Sequence, residues 1–359
     1  MLRIEEQLLN ESDPQRRAEL EARRASYLAR VGRFQEAGET IANIRKTFGD
    51  GRSGRVTALV MLAEALLMYY EKLAPGAADR VARAQLLGHA MKDREIVALA
   101  SAWRGFLEFE DSKFESAFRS VQQACENATA EDHSAWTRSA IVVSLGFALC
   151  GQVADGQYWF LEGRNHAVKE GDQASIDALL YNKASFGVAW LCAQRCKGHV
   201  DQAALKLARM ELASARNLQG LAGVRAHSSY IDLSEARLNL IEGQYETALA
   251  TLDAITRAGP FPTGHFNSSL LALEVAFCHA SLGRMDIAMN AFSQSDPESL
   301  SALDVDDRLV AAWMASELSR LDSRFGDVSE RASALAASIE EHDAAVSSLI
   351  SQLAPFRRT

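Results

Sequence analysis

The chain has 359 residues, 48% hydrophobic and 24% charged, enough for two ordinary globular domains or one long repeat array. A formal net charge of -9, with Arg357-Arg358 as the one short basic run, argues against a nucleic-acid partner. Five cysteines without framework spacing, an acidic start (Met1-Leu2-Arg3-Ile4-Glu5-Glu6) and a longest apolar stretch over 140–151, short of the ~20 residues of a membrane span, argue against a disulfide scaffold, a secretory signal and a membrane anchor. The expectation is a cytoplasmic protein with no membrane partner.

Residues 1–13 read as a lead-in, ended by Ser12-Asp13-Pro14, a capping residue before a proline in the first helical turn. Eight helix pairs follow, at 14–48, 53–91, 93–128, 131–170, 172–217, 220–258, 264–294 and 297–353. Most are hinged on one recurring turn, a glycine, a bulky residue two later and a small one five later. Its copies are Gly32-Arg33-Phe34-Gln35-Glu36-Ala37, Gly198-His199-Val200-Asp201-Gln202-Ala203, Gly243-Gln244-Tyr245-Glu246-Thr247-Ala248 and Gly283-Arg284-Met285-Asp286-Ile287-Ala288. Ser112 to Ala117 and Gly151 to Gly156 are degenerate copies. Physically, the glycine takes the left-handed conformation that ends the first helix, the bulky residue plugs the crotch, and the small residue lets the helices approach. The second pair has Pro75-Gly76 at the hinge instead, yet Val60, Leu62, Ala63, Leu66, Leu67 and Tyr70 keep helical spacing. Asp296-Pro297-Glu298 opens the last pair with a further capping signal. Near the end, Leu335, Ile339, His342, Val346, Leu349 and Leu353 form a narrow 4-3-4-3-4 seam. It predicts a long C-terminal helix over 326–359, either a cap on the repeats of 14–325 or a homodimer contact.

The pattern resembles the tetratricopeptide repeat. A small residue seven before the hinge recurs as Ala25, Gly105, Ser144, Ala236 and Ala276, and Pro260 stands where that family places its closing proline. Spacings of 39 to 47 exceed the family's 34, and the longer repeats look like the sensor solenoids of bacterial signalling proteins. The resemblance implies an all-α, right-handed superhelical solenoid of about eight helix-turn-helix repeats. It also implies a concave groove lined by the first helix of each pair, at residues thirteen, ten, six, three and two before the hinge.

That register, together with the neighbouring Trp103, gives a predicted groove of Leu99, Trp103, Phe106, Phe109, Arg138, Ile141, Leu145, Val188, Arg195, Tyr230, Leu233, Arg237 and Phe277. Chaperone-binding relatives hold a C-terminal carboxylate with lysine, asparagine and arginine at such positions. Here the slots are mainly apolar, with single arginines, which suits a protein or peptide partner and acidic groups flanking its buried face. No phosphate loop, nucleophile elbow, H-E-x-x-H or paired C-x-x-C is present, so no catalytic residue and no cofactor is expected. Cys192, Cys196 and His199 are spaced to share one helical face, a weak candidate metal set that competes with plain core packing. The expected function is a non-catalytic protein-protein interaction module. The alternative is a regulatory module that senses a small molecule or peptide and signals through its C-terminal helix or a dimer.

Overall fold

A computed structural model describes residues 2–48, 51–72, 74, 76–222, 228–257 and 267–358. Its hinges have one geometry. Gly32, Gly151, Gly198, Gly243 and Gly283 have φ between +65° and +82°, and Ser112 is held at +58°, a conformation that L residues rarely adopt. At each hinge the next amide reaches back five residues to a carbonyl of the ending helix, as in Arg33 N to Leu28 O (2.9 Å), Lys113 N to Glu108 O (2.8 Å) and Gln244 N to Asn239 O (2.8 Å). This bond pattern satisfies carbonyls that a helix end leaves open. Ala37, Ala117, Ala248 and Ala288 are fully buried where the paired helices meet. The Gly198 copy differs, because three residues instead of one separate the glycine from the next helix. Asp201 caps that helix by accepting from the amides of Ala203 (2.8 Å) and Ala204 (3.3 Å), and Ala203 and Val200 are left exposed.

Among the described residues the chain is all α, with no strand. The helices, in order, are α1 (Leu2–Asn10), α2 (Pro14–Arg30), α3 (Phe34–Thr47), α4 (Gly54–Lys72), α5 (Gly76–Met91), α6 (Arg94–Glu110), α7 (Phe114–Asn127), α8 (His133–Leu149) and α9 (Val153–Glu170). They continue as α10 (Gln173–Cys196), α11 (Gln202–Ala222), α12 (Ser228–Ile241), α13 (Tyr245–Arg257), α14 (Ser268–Ser281), α15 (Met285–Phe292), α16 (Pro297–Ser301), α17 (Val305–Leu321) and α18 (Val328–Gln352). The residues before Pro14, read as a lead-in, carry a helix of their own. Asp13 and Asp296 cap α2 and α16 as their sequences predict, with Asp13 accepting from the amide of Arg16 at 2.8 Å. Pro75 and Pro260 lie outside the described residues.

The chain divides into two units. The first comprises Met1–Phe147, Gln152–Leu179 and Gln352–Thr359, and its core includes Leu28, Ile44, Leu62, Leu66, Ile96, Ile141, Leu145 and Phe147. Close packing here is visible at Gly105, where an added Cβ would lie 2.8 Å from Val121 Cγ2 and 3.0 Å from the Ala117 carbonyl. The last residues belong to this unit. Leu353 is fully buried, Phe356 stacks near Phe118 and Trp159, and the Trp159 indole donates to the Phe356 carbonyl at 2.8 Å.

The second unit comprises Ala148–Gly151 and Leu180–Ser351, with one apolar core that includes Leu205, Ile231, Leu238, Leu252, Phe277, Leu309 and Trp313. The α18 seam packs onto this core: Leu335 and Ile339 lie against it, and His342 and Leu349 are buried. His342 accepts at Nδ1 from the Lys197 ammonium (3.0 Å) and faces Asp306 through Nε2 (3.0 Å). The seam is thus filled from within the chain.

Candidate functional site: a cavity with an unpaired arginine

The first unit contains a partly open cavity of about 50 Å³. Its walls come from first helices of successive pairs: Arg23, Ser26, Tyr27 and Arg30 of α2, Leu59, Leu62 and Leu66 of α4, Leu99 and Trp103 of α6, and Ser134 and Arg138 of α8. Ile4 of α1, Glu170, Asp172 and Ser175 complete it. The side chains converge because successive first helices pack side by side, with α2 contributing its C-terminal half, α4 its middle, α6 its N-terminal half and α8 its first turns.

Two buried guanidiniums flank Trp103. Arg138 lies over the indole ring, 3.8 Å from its centroid, and 4.8 Å from the centre of the Phe106 ring. Arg30 sits 6.0 Å from the Trp103 ring and 5.5 Å from Tyr27. Their electrostatic surroundings differ. Arg30 donates through Nη1 to Asp172 (2.7 Å) and to the Ser175 hydroxyl (2.8 Å), and Ser175 in turn donates to Asp172 (2.7 Å). Burial pushes the Asp172 carboxyl up, but the Arg30 charge and these hydrogen bonds outweigh it and hold the group below its usual value. Arg138 is only 2% exposed, and among the described residues no carboxylate forms an ion pair with it. Its Nε is buried with no hydrogen-bond partner. Burial, and to a lesser degree the neighbouring Arg30 charge, pushes its pKa down, although a guanidinium stays charged at any physiological pH. Arg138 therefore places a guanidinium without an ion-pair partner beside the indole.

The residues expected to line a groove separate into three groups. Leu99, Trp103 and Arg138 line the cavity, with Phe106 against the Arg138 guanidinium. Phe109, Ile141 and Leu145 are instead buried between helices of the same unit, as Val188 and Phe277 are in the second unit. Leu233 packs half-buried on the second unit's core, and Tyr230 lies 6.3 Å from Tyr181. Arg237 is closed by an ion pair to Glu274 (2.7 Å) and a second to Asp307 (3.3 Å), and Arg195 sits 5.6 Å from the Trp313 ring. The candidate metal set does not come together. Cys192 and Cys196 are core thiols, the first pushed up to about 12 by burial, while His199 is exposed in its turn. Among the described residues no cluster of three metal-ligating side chains exists.

Sequence reasoning missed Ser26 and Arg30, although they stand six and two residues before Gly32, at inward positions of the same register. Asp172 was missed as well, and it caps α10 by accepting from the Ser175 amide (3.2 Å).

No known family profile matches the chain, and no curated protein matches it in sequence. Among solved structures it is similar to a Rap protein crystallised in complex with competence and sporulation factor. The likeness covers 96% of this chain and 100% of that one at a TM-score of 0.62, with 12% identity. The fold is that of a tetratricopeptide-like helical-repeat protein. No helix among the described residues is long and apolar enough to cross a membrane.

Proposed function

We propose that this chain is a non-catalytic regulatory module of the cytoplasm that binds a short polypeptide on the inward faces of α2, α4, α6 and α8. The observation that carries this reading is the cavity itself, where Leu59, Leu62, Leu66, Leu99 and Trp103 offer apolar contacts beside convergent polar groups. A structure of the same fold is known in complex with competence and sporulation factor, which agrees with a peptide ligand for this architecture. A net charge of -9 favours a polypeptide over nucleic acid. The test is selection from a display library of random short peptides, followed by affinity measurement on wild type and on Leu99→Trp, which fills the cavity. The expected result is a consensus peptide whose binding weakens about tenfold or more in the variant, the loss of an anchor contact. No enriched peptide, or equal affinity for both proteins, ends this reading.

A further inference from the structure

We infer that the cavity of the first unit takes one carboxylate, which supplies the counter-charge that Arg138 lacks. This rests on the peptide reading above and names the group the site recognises. Arg30 is ion-paired to Asp172 and bonded to Ser175 through Nη1, although its Nε, like that of Arg138, is buried without a partner, so Arg138 is the one of the two that lacks an anionic neighbour in contact. That guanidinium lies over the Trp103 ring, with the Phe106 ring close by at a right angle to the indole. An arginine stacked in this way keeps its edge free, and the edge is the geometry that accepts a carboxylate through two parallel hydrogen bonds. Asp172 and Glu170 also line the cavity, and their charge opposes a dianion such as phosphate while tolerating a single negative charge. The space is a few times that of one water, enough for a carboxylate. Arg138 is a buried charge that the chain itself supplies with aromatic contacts but no carboxylate, and a bound carboxylate would complete its electrostatics.

The experiment uses the full chain and defined probes. Two matched sets of acetylated, amidated pentapeptides, one with a single Glu and the other with Gln at that position, are compared by fluorescence polarisation. A third set carries a free C-terminal carboxylate, and sodium acetate alone is titrated by thermal shift. The expected result is that Glu peptides or free-carboxylate peptides bind about ten- to a hundredfold more tightly than their neutral counterparts. Arg138→Met should abolish that preference with no loss of thermal stability, whereas the exposed control Arg284→Ala keeps it. Equal binding of Glu, Gln and free-carboxylate sets overturns the carboxylate site while leaving peptide binding intact. A shift with acetate that depends on Arg138, with no peptide bound, supports the site and ends the peptide reading. An acid preference that survives Arg138→Met, or no response to any probe, overturns the inference.

Discussion

Arg138 in the first unit, fully buried, and Arg237 in the second, largely buried, both stand on the first helix of a hairpin, yet only one is electrically closed. Arg237 meets Glu274, itself 1% exposed, and Asp307. Arg138 meets two aromatic rings. The contrast teaches that one repeat register can be used for internal stability or for recognition, and that the deciding residue is the partner on a neighbouring hairpin. Helical periodicity is the same in both cases.

The largest effect should separate the two arginines directly. Arg237→Met leaves Glu274 as an uncompensated buried carboxylate and should destabilise by about 3–5 kcal/mol. Arg138→Met removes a cation–π contact of about 2 kcal/mol but also a desolvation penalty of several kcal/mol, so its stability should hold or rise. Denaturant titration of both variants checks this, and a comparable loss in each would dissolve the contrast.

A smaller effect tests whether the first unit is merely looser. Gly105→Ala there forces a Cβ against Val121 and the Ala117 carbonyl. Gly151→Ala in the second unit forces one to 2.4 Å from the Trp190 Nε1, at φ +65°. Overpacking should make both destabilising by about 1–3 kcal/mol, with Gly151→Ala larger by about the 1–2 kcal/mol of left-handed strain. A negligible cost at Gly105 alone would attribute the cavity to poor packing and not to charge.

The smallest effect concerns pH. His133 and His166 of the first unit face each other Nδ1 to Nδ1 at 2.9 Å, a contact with room for one proton. Burial first, and then His133, pushes the His166 pKa down, with Lys169 adding to this and Glu162 and Glu131 opposing. A folded-state histidine below its unfolded value of about 6.5 binds fewer protons than the unfolded chain, so stability falls as pH drops below about 6.5. Denaturation midpoints at pH 7.5 and 5.5 should therefore converge in His166→Gln relative to wild type. The second unit's His342, between Lys197 and Asp306, has no facing histidine.

The hinges were legible in the sequence because their requirement is local: a backbone at positive φ selects glycine whatever surrounds it. Ser112 shows the strength of the pattern, since it is held in the same conformation at a degenerate copy. The site was legible in part. Register pointed to Leu99, Trp103 and Arg138, but it could not separate a cavity wall from an interhelix contact, and so Ile141 and Val188 were grouped with them although both are buried. Whether an arginine is paired depends on residues far along the chain, such as Asp172 for Arg30 and Glu274 for Arg237, and periodicity carries no record of such pairing. The α18 seam left two readings for a related reason, because a heptad-like stripe looks the same whether its partner is a second copy or the chain's own core, and in this structure Leu335 and Ile339 pack on the chain's own core.

The final residues of the sequence complete the unit in which the sequence begins. During synthesis, residues 1–179 emerge first and the 352–359 segment follows 173 residues later, a delay of roughly ten to thirty-five seconds at translation speed. For that interval Phe118 lacks its contact with Phe356, and the Trp159 indole lacks its carbonyl acceptor. The first unit is therefore completed only after the second has been synthesised.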